Sequence, residues 1–241
     1  MAKLDKSKYT KLQIQKILTQ RRLEKEHKKS LNNESATVKL NDHTNKTYGF
    51  VLGNGTSRKG IDPKNLKEFG KVYGCNALYR ELDPDYLVAV DVKMVLEITK
   101  KKYQLQNPNV WTNHNKAYKL VEGLNYFRPS KGWSSGPTAL WLASQHAYKK
   151  IFILGFDYKG LDDGKRVNNV YAGTPNYKKT TDGATYFGNW LKQTCAVIKE
   201  NPQTTFYRVI TPDNFIPPEL NKFSNLKHIN VEDFQKMFNV L

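Results

Sequence analysis

Cysteine is nearly absent from this chain: 241 residues contain two, Cys75 and Cys195. Thiols so few and so far apart exclude a disulfide framework and the paired spacing of a zinc site. Long apolar runs are also missing, and no stretch approaches the roughly 18 residues needed to cross a bilayer. The opening segment, MAKLDKSKYTKL, has no hydrophobic region of the secretory kind. The expectation is a cytoplasmic protein without a membrane span, in the host cytoplasm if the gene belongs to a phage. Acidic residues are outnumbered, 22 Asp+Glu against 39 Lys+Arg, for a formal net charge of +17. That field suits polyanions such as DNA, RNA, anionic lipid or clustered phosphates, and it also fits a plain lysine-rich soluble protein. Lysine dominates the cations, so the charge is diffuse. Any nucleic-acid contact is expected to be non-specific rather than base-reading.

What is present is enough for a core. Hydrophobic residues make up 39% of the chain and aromatic residues 12%, chiefly 14 Tyr and 11 Phe, which describes a folded protein with a polar surface. Residues 1–46 stand apart, with 12 Lys+Arg against 5 Asp+Glu and almost no aromatic content. Within them KLQIQKILTQRRLEKEHKKS has loosely helical apolar spacing and Thr10 as a start signal, so a basic helical extension and a polar linker are expected. Residues 47–241 then read as one domain. TYGFVLG, KVYGCN and YLVAVD are short buried strands, and DPKNLKEF a short helix with Pro63 at its first position. VKMVLEITKKKY is a helix with Val95, Leu96 and Ile98 facing inward, and NVWT and LNYF are edge strands. SSGPTALWLASQHAYKK is a long helix, followed by the almost wholly apolar strand IFILGFD. Residues 158–183 have little periodicity, as a lid or binding loop would. YFGNWLKQTCAVIKE, FYRVI and EDFQKMF read as helix, strand and helix. The alternation predicts an α/β, Rossmann-like, mostly parallel sheet flanked by helices.

In such a sheet ligands sit beyond the carboxyl ends of the strands, and polar clusters recur there. Gly53, Asn54, Gly55, Thr56 and Ser57 follow the first strand. Their glycines permit close approach, and their amides and hydroxyls suit phosphate oxygens as readily as an ordinary turn. The run matches neither GxGxxG nor GxxxxGK[ST]. Asn76 ends the second strand. Asp91 ends the third, where a carboxylate can take a ribose hydroxyl, hold a metal or cap a helix. Ser134, Ser135 and Gly136 open the long helix with residues that serve either as a cap or as an anion site. Gly155 and Asp157 close the IFIL strand. Four clusters on one edge point to a nucleotide crevice.

GNGTS, CNALY and WSSGPTALWLASQHAYKKIFILGFDY together resemble the nucleotide-binding core of small single-domain bacterial sialyltransferases, over about residues 48–160. The same order of loop and helix occurs in the pterin pyrophosphokinase-like family. The first resemblance implies a Rossmann-like fold and a CMP-sugar donor; the second implies a nucleoside triphosphate with a metal ion. By the first, Asn54 and Asn76 lie near donor phosphates, and Ser134, Ser135 and Gly136 beside the nucleotide. Gly155 and Asp157 lie near base and ribose, and Tyr158 with Tyr171 or Tyr177 stabilises the leaving phosphate. The chain departs from that pattern in two places. Thr56 stands where proline is usual, and the family's general-base histidine has no counterpart. Only His228 follows the IFILGFDY stretch, while His146 sits in the helix and His114 in TNHNKAY. Asp157, Asp162, Asp163 or Asp182 is left to act as the base.

The expected activity is a nucleotide-sugar-dependent glycosyltransferase with a CMP-, UDP- or GDP-linked donor, and with Arg58, Lys59 and loop tyrosines meeting the leaving phosphate. Its charge suggests an anionic acceptor such as a hydroxylated base in DNA, as in phage DNA modification, with the basic helix on the backbone and the base flipped out. Two alternatives accompany it: a metal-dependent nucleotidyl or pyrophosphoryl transfer enzyme, and a non-catalytic nucleic-acid-binding protein on a Rossmann-like scaffold. The sequence leaves the need for a divalent metal and the oligomeric state open.

Overall fold

The computed structural model describes residues 48–240. The expected basic extension at 1–46, and the DNA contact assigned to it, lie outside the described residues.

Strand β1 (Tyr48–Leu52) is buried at four of its five positions, as a strand covered on both faces must be. It pairs in parallel with β2 (Gly70–Cys75) on one side and β6 (Lys150–Leu154) on the other. Outward from β2 run β3 (Tyr86–Val88), β4 (Val110–Thr112) and β5 (Asn125–Tyr126); outward from β6 run β7 (Thr205–Ile210) and β8 (Leu226–Asn230). The order is β5-β4-β3-β2-β1-β6-β7-β8, and every pair is parallel. The chain builds outward from β1 to β5 and then crosses back to lay β6 beside β1. That reversal is the topological switch point at which open α/β sheets bind ligands. The fold is Rossmann-like, as the alternation of elements predicts.

Helices cover both faces. Side chains alternate along each strand, so Phe50 and Leu52 face one layer and Val51 the other. On the first face Phe50 stacks on Phe152 at 5.6 Å and meets the edge of Phe238 at 5.0 Å. Phe238 comes from α4 (Val231–Phe238), and α1 (Val92–Lys100) adds Met94, Val95 and Ile98 to the same core. On the second face Val51, Tyr73, Ile151 and Ile153 meet α2 (Ser135–Gln145) and α3 (Gly188–Glu200). Complete burial of each such side chain contributes about 2–3 kcal/mol. Helix α2 is buried almost all round because it lies between the sheet and α3.

Two expectations are corrected, and one strand is added. Leu96 is 43% exposed: at 100° per residue, Met94, Val95 and Ile98 share a face that turns Leu96 outward. DPKNLKEF forms only a 3-10 turn at Asn65–Glu68, since so short a segment with one buried leucine cannot sustain an α-helix. LKHIN, which carries no continuous apolar signal, is β8, a half-buried edge strand paired to β7.

Candidate functional site: a crevice at the switch point

The loops after β1 and β6 are fastened to each other. Gly53 N donates to the Leu154 carbonyl at 2.8 Å and Gly55 N to the Gly155 carbonyl at 2.9 Å. The glycines permit this approach. A Cβ on Gly53 would lie 2.5 Å from the Gly155 oxygen, and one on Gly55 would lie 2.5 Å from the Asp157 carboxyl. Gly155 has φ +67°, a conformation that side chains disfavour. Thr56 donates through both N and Oγ1 to Asn168 Oδ1, each at 2.8 Å. Ser57 donates its amide to Asp157 Oδ2 at 3.0 Å and its hydroxyl to Oδ1. Arg58 is buried: Nε holds the Gly53 carbonyl at 2.8 Å, the two terminal nitrogens hold Glu81 at 3.1 and 3.2 Å, and Nη2 also reaches the Tyr171 hydroxyl at 2.9 Å.

The phosphate-cradle expectation is therefore corrected for most of this loop. The amides of Gly53, Gly55, Thr56 and Ser57 all have internal acceptors, Arg58 braces the loop from behind, and Lys59 is exposed. The Asp157 carboxylate has both oxygens on Ser57, so it braces the β1 loop as well as lining the cleft. Asn54 does face the crevice, but its side chain is engaged: Nδ2 donates to the Tyr177 hydroxyl at 3.2 Å, and Oδ1 accepts a weak contact from Cys75 Sγ at 3.5 Å. The Cys75 thiol is pushed up to about 12 by burial, so it is no nucleophile.

The opposite wall differs. Ser134 occupies the N-cap position of α2 in extended conformation, yet its side chain makes no capping bond. Its own amide donates to Gln193 Oε1 at 3.0 Å, and its carbonyl accepts from Thr138. Ser135 Oγ donates to Asn76 Oδ1 at 2.8 Å and accepts from Val90 N at 3.1 Å. The first-turn amides of Ser135 and Gly136 thus lack both an intrahelical partner and a cap, at the positive end of the helix dipole. The expected capping bond from the Ser134 side chain is absent, and these two amides are left without a protein acceptor among the described residues. Asn76, at φ +53°, presents a carboxamide nitrogen with no partner among the described residues.

Between these walls lies a cleft of about 370 Å³, lined by Gly53, Asn54, Gly55, Asn76, Asp91, Ser134, Ser135, Gly136, Gly155, Asp157, Tyr158 and Tyr177 from the expected set. Thr56, Ser57 and Tyr171 do not line it. A second cavity of about 260 Å³ adjoins it and shares Asn76, Asp91, Asn176 and Tyr177. Asp91 stands at the N-cap of α1, but only its carbonyl bonds the helix; the side chain caps nothing. Among the described residues its carboxylate has no partner, and desolvation raises its pKa.

The tyrosines separate. Tyr158 lines the cleft with its ring, while its hydroxyl donates to Thr194 Oγ1 at 2.9 Å. The Tyr171 hydroxyl sits behind the β1 loop on Arg58. Tyr177 accepts from Asn54 at 3.2 Å and from Ala77 N at 3.3 Å, so its own proton is left for a ligand. Burial pushes its pKa up and keeps that proton in place. No histidine among the described residues lines either cavity. His146 bonds Tyr73, exposed His114 packs on Tyr126, and His228 lies on β8 opposite Arg208 with its pKa lowered by burial and then by Arg208. Asp162 pairs with Arg166, Asp163 with Lys159, and Asp182 accepts from Lys179 N; none of the three reaches the cleft.

Sequence reading missed Phe156, Val167, Asn168, Asn169, Asn176, Lys178, Thr185, Phe187 and Trp190, all of which line the cleft. Most lie in the 158–183 segment or just after it, where the paired asparagines and the NYK triplet were the available signal. That segment folds back across the sheet edge: Val170 N bonds the Asn54 carbonyl, and Arg80 bonds Thr174 and the Pro175 carbonyl. No group of three or more metal-ligating side chains occurs among the described residues, and none of their helices is long and apolar enough to cross a membrane.

No family model, no curated protein and no solved structure matches the chain significantly. The topology and the cleft define the class: a Rossmann-like α/β protein with a crevice of mixed polar and aromatic lining at its switch point.

Proposed function

We propose that the crevice binds a nucleotide and, more particularly, that the protein is a nucleotide-sugar-dependent glycosyltransferase. The observation that carries the reading is the uncapped start of α2, which opens into a switch-point cleft beside the unpartnered amide of Asn76. Free amides at a helix N-terminus attract phosphate oxygens, and in a partly water-excluded cleft they stabilise charge that develops on a leaving phosphate. Tyr177 adds a protonated hydroxyl donor from the facing wall. Phe156, Phe187 and Trp190 supply flat apolar surface for a base or sugar, with Phe187 and Trp190 in edge contact at 5.2 Å. The resemblance of GNGTS, CNALY and the WSSGPT helix start to the sialyltransferases supports a CMP-linked donor first, with UDP- and GDP-linked donors next. The net charge of +17 favours an anionic acceptor, including a hydroxylated base in DNA.

A metal-dependent nucleotidyl transferase is less well supported. Of the two strand-end carboxylates that line the cleft, Asp157 is engaged by Ser57, and Asp91 alone has no partner among the described residues. The test is a thermal-shift screen of CMP, UDP, GDP and their sugar conjugates, with and without magnesium or manganese. Metal-independent stabilisation by one nucleotide series supports the proposal. Absolute metal dependence moves the reading to nucleotidyl transfer, and no shift at millimolar nucleotide overturns both.

A further inference from the structure

Glycosyl transfer needs a base for the acceptor hydroxyl, and no histidine stands in the crevice. The shared wall of the two cavities supplies another candidate. Asn76, Asp91, Asn176 and Tyr177 border both cavities, whereas Val92, Lys93 and Met94 border only the smaller. Asp91 lies at that boundary. Among the described residues it is the one carboxylate of the larger cleft that no protein group engages, since Asp157 is held by Ser57. Lys93 is the only cation of the smaller cavity and is exposed.

We propose that the smaller cavity is the acceptor subsite and that Asp91 is the general base, serving a hydroxyl compound whose phosphate meets Lys93. This rests on the glycosyltransferase reading. In the step, the Asp91 carboxylate takes the proton of the acceptor hydroxyl, and the freed oxygen bonds to the anomeric carbon of the donor sugar. The anomeric C–O bond to the nucleotide phosphate breaks, and its electron pair leaves on that phosphate, which faces the α2 amides. Such a base works best with a pKa brought toward the operating pH, the direction in which desolvation moves Asp91. The titratable groups around it are Lys93 on α1, the Cys75 thiol at the end of β2, and Tyr177 and Lys178 on the long loop. Helix α2 presents only hydroxyls and amides there.

The test uses the full chain and three proteins: wild type, Asp91→Asn and Asp91→Glu. The donor is whichever of CMP-, UDP- or GDP-sugar shifts the wild-type melting temperature. Release of free nucleotide is followed against pH, with water alone and with added acceptor. Two acceptors distinguish the source of the phosphate: glycerol 3-phosphate, and a short oligonucleotide containing a hydroxymethylated pyrimidine. The expected result is that nucleotide still shifts the melting temperature of Asp91→Asn while its turnover falls at least a hundredfold. Wild-type rate should rise with pH and then level, Asp91→Asn should lose that rise, and Asp91→Glu should regain part of the rate. Lys93→Ala should raise KM for the phosphorylated acceptor about tenfold with kcat little changed, and should leave neutral glycerol unaffected. Turnover of Asp91→Asn within threefold of wild type, with the same pH profile, overturns the base assignment while the donor reading stands. Failure of wild type to bind any nucleotide overturns both.

Discussion

Two glycine-bearing segments face each other across the crevice, GNGTSR after β1 and SSGPT at the start of α2, and they use backbone amides in opposite ways. In the first, the amides of Gly53, Gly55, Thr56 and Ser57 are closed by internal acceptors, and the glycines let two loops touch. In the second, the residues that should cap the helix point elsewhere, and the amides stay open. A glycine-rich run therefore does not mark a phosphate site by its composition. What marks it is where the N–H groups go, and that depends on partners distant in the chain: Leu154, Gly155, Asp157 and Asn168 on one side, and Asn76 and Gln193, 59 residues away, on the other.

The same substitution should act differently at the loop contact behind the first segment and in the second. In Gly155→Ala the new Cβ lies 2.8 Å from the Gly53 carbonyl at φ +67°, and stability should fall by about 2–4 kcal/mol. Gly60→Ala, also at positive φ but with nothing within 4 Å, isolates the backbone term at about 1 kcal/mol. Gly136→Ala places its Cβ 3.3 Å from the Phe156 ring and should change stability by less than about 1 kcal/mol while weakening nucleotide binding. Urea denaturation and a nucleotide titration read all three. Equal losses at Gly155 and Gly60 would show that the loops are not in tight contact.

Arg58 sharpens the contrast, because a phosphate ligand and a loop brace fail differently. Arg58→Met strands the Gly53 carbonyl and leaves Glu81 without its counterion, so a loss of about 3 kcal/mol is expected, read by chemical denaturation. A variant of wild-type stability that loses nucleotide affinity tenfold would instead return Arg58 to the phosphates.

The fold was legible because burial on both faces writes itself into short apolar strands such as YGFVL and KIFIL. Strand β8 was not, because an edge strand such as LKHIN needs apolar residues on one side only. The place of the site was also legible: strand-end polar clusters fall at a parallel sheet's carboxyl edge whatever the strand order. Roles within it were not. Asp157 and Asp91 look alike in sequence, each closing an apolar strand, yet Ser57 engages one and nothing engages the other. Tyr158, Tyr171 and Tyr177 differ only in which hydroxyl partner the folded loop brings near: Thr194, Arg58 or Asn54.

The 158–183 segment is bonded to the β1 loop, and one carboxylate on α1 helps to hold it. Glu97 receives Arg80 Nη2 at 2.6 Å, the Tyr79 hydroxyl and Asn176 Nδ2 at 2.6 Å, and it is 13% exposed. Burial alone would raise its pKa, but the bonds from Arg80 and Tyr79 outweigh that and hold it at about 2. A depressed folded pKa stabilises the protein above the unfolded value of about 4.5 and loses that contribution as pH falls toward 2. Stability should decline by about 2 kcal/mol across that window, and Glu97→Gln should flatten this part of the profile. Amide exchange in 170–178 should quicken first; if the whole domain opens together, Glu97 does not act through the loop.

The smallest effects come from the two side chains that best represent the opposed walls. Ser135→Ala removes the donor to Asn76 and the acceptor of Val90 N, and so frees Asn76 to turn away from the cleft. Nucleotide affinity should drop about tenfold, near 1.4 kcal/mol. Asn54→Ala breaks a longer bond, 3.2 Å to a Tyr177 hydroxyl that Ala77 N also holds, so the tyrosine keeps one tether. Its loss should be about two- to threefold, under 1 kcal/mol. Isothermal titration of the same nucleotide against both variants gives the ratio directly. A larger loss at Asn54 than at Ser135 would move the phosphates from the helix start back to the glycine loop and reverse the assignment of the two walls.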